Sequence, residues 1–275
     1  MENKLEDYQA IAHHYNTHYA AETIRLSQSF PIEFGITQRY LERWIPDYSK
    51  VVDIGVGGGH YAEILAHRSC ILDLVDISSK LLESAVDRLQ SSGFTSQIGK
   101  VEKASATDLS ALESNTYDAV LLLGPLYQLQ KLEDRQQAVR EAARILKSGG
   151  ILFAAGINRL AYLRELFRES PQLVLEYQEF HQQYLKTGNI DERHAPPLGV
   201  AHLTTIAEFR QLFTSEFSEL LLLGVESFAG AFQSSLTELP PAKVEAWLDL
   251  VEQTATTPEA LGATDHFLFI GKNVN

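Results

Sequence analysis

The stretch Gly55-Val56-Gly57-Gly58-Gly59 constrains this chain more than any other. It follows the short apolar run Val51-Val52-Asp53-Ile54 and precedes a segment, about Tyr61 to Ala66, whose apolar residues have helical spacing. A strand, a glycine-rich turn and a helix in that order open a βαβ unit, and a parallel sheet with right-handed crossovers follows from it. Glycines at 55, 57 and 59 permit a tight turn and let a ligand reach the backbone with no Cβ in the way. In an open parallel sheet such a turn lies at the carboxyl edge of its strand, where ligands bind.

The rest of the central region keeps the same rhythm. Ile71-Leu72-Asp73-Leu74-Val75 reads as a second strand ending at Asp76, where an acidic side chain can accept both hydroxyls of a ribose. Ser78 or Ser79 then caps a helix whose Leu81, Leu82, Ala85, Val86 and Leu89 follow the 3.6-residue period. A third strand is expected near Ile98–Ala104, and Ala119-Val120-Leu121-Leu122-Leu123 has the unbroken apolar character of a strand covered on both faces. A helix over Arg135–Leu146 ends at the turn Lys147-Ser148-Gly149-Gly150, which leads into a strand over Ile151–Ala155.

Both flanks differ from this centre. Residues 1–30 place Tyr8, Ile11, Tyr15, Tyr19 and Ile24 along one helical face, until Pro31 pushes Phe30 out of the helical region. A second short helix runs from about Ile36 to Trp44 and ends near Pro46. Residues 157–205 are rich in aromatics and expected to be helical, and Thr205 with Glu208 forms the pattern of a capping box. Leu220–Leu223 and Phe267–Ile270 read as two late strands.

Composition limits the partners. The 275 residues, 45% hydrophobic and 21% charged, suit one large globular domain or one domain with an insertion. Thirty-six acidic against 23 basic residues give a formal charge of −13, and no basic run interrupts it. That balance argues against nucleic acid, whose binders neutralise phosphates, and against an anionic membrane surface. The single cysteine, Cys70, forms neither an intrachain disulfide nor a thiolate cluster, which fits a reducing compartment. The opening MENKLEDYQA lacks the basic-then-apolar order of a signal peptide, and no apolar stretch approaches a membrane span. A cytoplasmic monomer or homodimer is the expectation.

The ligand is narrowed by charge. The third glycine comes one place too early for the dinucleotide pattern Gly-x-Gly-x-x-Gly, and Asp53 stands two residues before the first glycine. A pyrophosphate gains nothing from a nearby carboxylate, whereas a ligand bearing an ammonium and a sulfonium does. Val51–Gly59 resembles motif I of the class I S-adenosylmethionine-dependent methyltransferases. Leu74-Val75-Asp76-Ile77-Ser78 is similar to their second motif, Tyr117–Tyr127 to the fourth, and Leu146–Phe153 to the fifth. The four stand in the family's order and spacing over residues 51–155.

The resemblance implies site roles. The turn at Gly55, Gly57 and Gly59 would wrap the methionine part of S-adenosylmethionine, Asp53 would meet its ammonium, Asp76 its ribose hydroxyls, and Ile77 its adenine ring. Gly124, after the fourth strand, belongs to the same cofactor set. The third motif usually has an acidic residue followed by a small one; here Ser105-Ala106 occupies that place, a hydroxyl being a weaker acceptor than a carboxylate, and Asp108 is the alternative.

Methyl transfer gives no unique catalytic signature, because placing the acceptor in line with an activated carbon supplies ~7–11 kcal/mol of the acceleration. By resemblance Tyr127 points toward the methyl group, Tyr15 and Tyr19 lie on a lid helix over cofactor and acceptor, and His202 stands at an acceptor position. Core packing for the tyrosines and a structural hydrogen bond for His202 remain open. Tyr162, Phe167, Tyr177, Phe180 and Tyr184 read as core or lid packing. His14 and His18 share a helix face without the glutamate of a zinc motif, so no metal is expected. His60 stands near the cofactor by position alone.

The expected architecture is a doubly wound, seven-stranded, mostly parallel sheet of the Rossmann-like methyltransferase type. Residues 1–46 form a helical cap, 47–156 the cofactor-binding core, 157–218 a helical insertion over the acceptor pocket, and 219–275 the strands completing the sheet. The expected reaction is methyl transfer to a small molecule, with oxygen placed ahead of nitrogen. A peptide or peptide-carboxylate methyltransferase and a catalytically silent cofactor-binding partner subunit are the alternatives. A nicotinamide oxidoreductase is disfavoured by the glycine spacing and Asp53.

Overall fold

The structure, a computed structural model, describes residues 2–196, 198–236 and 238–275. Five parallel strands form its centre: β1 (Lys50–Ile54), β2 (Ile71–Asp76), β3 (Ile98–Lys103), β4 (Tyr117–Leu122) and β5 (Leu146–Ile157). In β4, Ala119 and Leu121 join the hydrophobic cluster on one face, whereas Val120 and Leu122 join that on the other. Alternate residues of a strand point to opposite faces, so a fully apolar strand has to be covered twice.

Helices do the covering. Preceding the sheet are α1 (Glu2–Ser29) and α2 (Pro31–Trp44); between strands lie α3 (His60–His67), α4 (Ser79–Ser91), the single turn α5 (Pro125–Gln128) and α6 (Leu132–Ile145). The sequence pattern placed the second helix at Ile36, but α2 opens at Pro31, whose fixed φ suits the first helical position. Its Ile32, Ile36, Tyr40 and Leu41 are buried in the main core, so α2 is a layer of the sheet's cover and only α1 lies outside it. No helix joins β3 to β4; that link is a loop pinned by Arg144, which donates to the Leu109 and Leu112 carbonyls.

Two further departures have local causes. The expected turn at Lys147–Gly150 lies inside β5, where the register against β4 shifts and Gly149 takes a φ of +76°, as a bulge requires. The insertion is not wholly helical. After α7 (Arg159–Glu169) and α8 (Gln178–Thr187), β6 (Asn189–Ile190) and β7 (Ala201–His202) pair antiparallel, and α9 (Ile206–Gln211) then starts on the Thr205–Glu208 capping box.

The last strands are β8 (Phe217–Gly224) and β9 (His266–Asn273), separated by α10 (Pro241–Thr254) and α11 (Pro258–Ala263). Sheet order is β3-β2-β1-β4-β5-β9-β8, with β9 antiparallel to both neighbours. α10 packs on α2 through Arg39, which reaches Glu245 at 2.6 Å and both Asp249 and Glu252 at 2.9 Å. Among the described residues, no helix is long and apolar enough to cross a membrane. Strand order reverses between β1 and β4, and their carboxyl ends open the crevice where doubly wound sheets take ligands.

Candidate active site

A cleft of about 1130 Å³, counting its open mouth, occupies that crevice. Its floor is built from strand ends: Asp53, Gly55, Gly57 and Gly58 after β1, Asp76 and Ile77 after β2, Ser105 and Ala106 after β3, Gly124 and Tyr127 after β4. Tyr8, Ile11 and Tyr15 of α1 form its roof. This single long helix is fastened along the crevice at three points. Tyr8 Oη lies 2.9 Å from Thr107 Oγ1 beyond β3, and Ser78 Oγ donates to Asn16 Oδ1 at 2.8 Å. Farther along, His60 Nε2 donates to the Thr23 carbonyl at 2.7 Å.

The glycines of the turn have separate tasks. Gly57, at φ +55°, has nothing within 4 Å of the place a Cβ would take, so it faces the open cleft. A Cβ on Gly55 would stand 2.7 Å from Pro125, which joins the turns after β1 and β4. Gly59 does not line the cleft: it opens α3 in the left-handed conformation, and a Cβ there would press on Ala85 of α4 at 3.0 Å. Gly58 was not singled out from sequence, yet a Cβ on it would meet Thr23 Cα at 2.9 Å, so it is the point where α1 comes closest to the turn.

Two carboxylates dominate the electrostatics. Burial, and then the charge of Asp76, push the Asp53 carboxyl up to about 7. Burial raises Asp76 to about 6, against backbone N–H groups of Ser78, Gly57 and Ile77 that favour its anion. Ser78 N donates to Oδ1 at 2.8 Å and Gly57 N to Oδ2 at 3.1 Å, so the turn itself aims this side chain. Among the described residues, neither Lys nor Arg lines the cleft beside these two groups. Buried carboxylates in that condition favour a cationic or hydroxyl-bearing ligand.

The other expected site residues separate cleanly. Ser105 and Ala106 line the cleft, with Ser105 Oγ 2.9 Å from Thr107 Oγ1. Asp108 does not; it is exposed, and hydrogen bonds from Ser110 draw its carboxyl below the usual range. Of the aromatic pair on α1, Tyr15 lines the cleft while Tyr19 lies half-exposed outside it. His202 is also absent from the lining: it sits in the β6/β7 ribbon with Nδ1 2.8 Å from Asn189 Oδ1. Burial, then the charges of Arg135 and Arg159, push that imidazole down to about 3, so it is neutral and structural.

His60 lines the cleft, but burial lowers its pKa and its Nε2 proton is engaged by Thr23. Sequence reasoning also passed over Glu33, Tyr61 and Gln128 of the lining. Gln128 is buried and its Nε2 has no hydrogen-bond partner among the described residues. Tyr162 and Tyr184 are buried in the insertion, whereas Phe167 is exposed.

Residues 52–154 match the family described as "Methyltransferase domain". A ubiquinone biosynthesis O-methyltransferase of Thiobacillus denitrificans is 33% identical over 112 residues, 41% of this chain and 46% of that protein. One of the same description from Nitrosomonas europaea is 28% identical over 161 residues, 57% of this chain and 63% of that protein. The match thus spans about half to two thirds of the length of these curated relatives. Among solved structures, a protein of Thermotoga maritima described as a possible histamine N-methyltransferase superposes with a TM-score of 0.58 at 19% identity, covering 94% of this chain and 98% of its own. The N-methyltransferase NodS of Bradyrhizobium japonicum, in complex with S-adenosylhomocysteine, gives 0.55 at 14% identity with the same coverages. At such identities the shared property is the fold.

Proposed function

The chain carries a class I S-adenosylmethionine-dependent methyltransferase domain, and from that premise we infer that it transfers a methyl group from S-adenosylmethionine to an oxygen of a small molecule. The observation that carries this reading is the pair Asp53 and Asp76, two buried carboxyls converging on one cleft that no Lys or Arg lines among the described residues. A ligand with an ammonium and a ribose fits them; a diphosphate does not.

The residues present suit the cofactor. Gly57 leaves the space a chain of methionine size needs, Asp53 takes the ammonium, and Asp76 accepts the ribose hydroxyls with lone pairs left over from its two backbone donors. Ile77, Ser105 and Ala106 line the adenine side, Gly124 the opposite wall, and Tyr15 lies over the site from α1. Bound S-adenosylmethionine supplies a methyl carbon already activated by its sulfonium. The chain's own part is orientation and exclusion of water, with Tyr127 beside Gly124 setting the acceptor's place and α1 closing the roof.

An oxygen acceptor is supported by the description of the curated relatives as O-methyltransferases. His202 lies outside the cleft, and a phenolic or enolic hydroxyl of low pKa, which needs little help from a general base, suits such a site. The test is calorimetry with S-adenosylhomocysteine and with NADH, followed by mass spectrometry of cell extract incubated with protein and isotopically methyl-labelled donor. Binding of S-adenosylhomocysteine and a labelled small product are expected. Label in peptides instead would move the acceptor class, tight binding with no labelled product would make the chain a silent subunit, and binding of NADH alone would refute the assignment.

A further inference from the structure

The cofactor leaves one polar side chain of the cleft unexplained. Gln128 ends α5 and lines the cleft with 8% of its surface exposed, yet its Nε2 has no hydrogen-bond partner among the described residues. Shutting an amide N–H away from water with nothing to accept it destabilises a fold, so a donor in this condition calls for a partner from outside the chain.

The backbone around it is anchored. Pro125 opens α5 against Gly55, where a Cβ would stand 2.7 Å from the proline ring. Beyond the helix, buried Arg135 donates to the Leu129 and Gln130 carbonyls at 2.7 and 2.8 Å. Gln130 Nε2 donates in turn to the Ile190 and Ala201 carbonyls at 2.8 and 3.2 Å, which ties the segment to the β6/β7 ribbon. Two glutamines two places apart thus differ in use: one amide fastens the insertion, the other is kept at the cleft.

Position indicates what the second amide meets. Asp53, Asp76 and Ser105, assigned above to the cofactor, follow β1, β2 and β3. α5 follows β4, across the point where strand order reverses, and packs against β5 and β7. Tyr127, its neighbour in the chain, packs on the insertion's cluster of Tyr162, Tyr184 and Ile190. Gln128 therefore stands where the cleft meets the insertion. A buried neutral donor there favours a molecule that offers an oxygen and rejects an apolar analogue, which would leave the N–H unpaired.

Resting on the methyltransferase reading above, we propose that Gln128 is an acceptor-binding residue, whose Nε2 donates to a carbonyl or hydroxyl oxygen of the small molecule being methylated and so holds that molecule beside Tyr127.

The test compares wild type with Gln128→Met, which keeps the side chain's length and removes the amide. Each protein, saturated with isotopically methyl-labelled S-adenosylmethionine, is incubated with a dilution series of the small-molecule fraction of cell extract. Mass spectrometry of the labelled product then gives a relative KM with no need for the acceptor's identity. In Gln128→Met the half-saturating amount of extract should rise at least ~10-fold, while the plateau rate and the affinity for S-adenosylhomocysteine stay within ~3-fold of wild type. The unliganded variant should melt no lower than wild type, because the group removed is an unpaired one. An unchanged half-saturation overturns the proposal. So does a ~10-fold loss of S-adenosylhomocysteine affinity, which would assign the amide to the cofactor, or a lowered melting temperature, which would make it structural. Failure of wild type to bind S-adenosylhomocysteine, or to label any small molecule, would instead overturn the methyltransferase reading, and this one with it.

Discussion

Lowering the pH should weaken cofactor binding by an amount that the two buried carboxyls set. Without ligand, Asp53 titrates at about 7 and Asp76 at about 6, and a cationic ligand selects the ionised forms of both. At pH 8 Asp53 is ~90% ionised and at pH 5.5 ~3%, a ~30-fold loss; Asp76 adds ~4-fold, so affinity for S-adenosylhomocysteine should fall ~100-fold, or ~3 kcal/mol, between the two. Binding at pH 6 should also release more than one proton, measurable by calorimetry in buffers of different ionisation enthalpy. The same shift acts on the unliganded fold. A carboxyl whose folded pKa is raised above its unfolded value loses stability as pH rises through the interval between them, here from about 4 to about 7 for Asp53. Asp53→Asn should therefore bind the cofactor weakly and with a shallower pH dependence, yet be more stable than wild type at pH 8, by up to ~4 kcal/mol. An affinity that does not change between pH 8 and 5.5, or an Asp53→Asn protein that binds as wild type does, would refute the assignment of these carboxyls to the ligand.

Three substitutions test the turn and the acceptor side. Gly57→Val places a branched side chain in the open cleft at a φ of +55°; cofactor binding should be lost in calorimetry, at a stability cost of ~1–2 kcal/mol in a denaturant melt. Gly58→Ala meets the Thr23 backbone at 2.9 Å and must displace α1, so the cofactor should leave faster, seen as a raised dissociation rate with a nearly unchanged melting temperature. Tyr127→Ala should reduce kcat, once an acceptor is in hand, by more than it weakens S-adenosylhomocysteine; equal losses in both would make the ring structural.

What was legible in the sequence is what the backbone demands locally. β4 could be read because a strand covered on both faces needs an unbroken apolar run, and the cofactor turn because Gly55, Gly57 and Gly59 adopt positive φ, which few other residues tolerate. The same logic explains the errors. Pro31 marks a helix end in sequence, but equally a first helical position, and here it does both, ending α1 and opening α2. Two-residue strands such as β6 and β7 are too short to carry a period, so the ribbon was read as helix. His202 is expected at an acceptor position from sequence, but its burial beside Arg135 and Arg159, which makes it neutral and keeps it out of the cleft, exists only after folding. Glu33 reaches the cleft from α2, and nothing near it in sequence announces that. Residue type is thus dictated at the glycine turn of the cleft, while the helix side chains that line it follow a pattern that packing already satisfies.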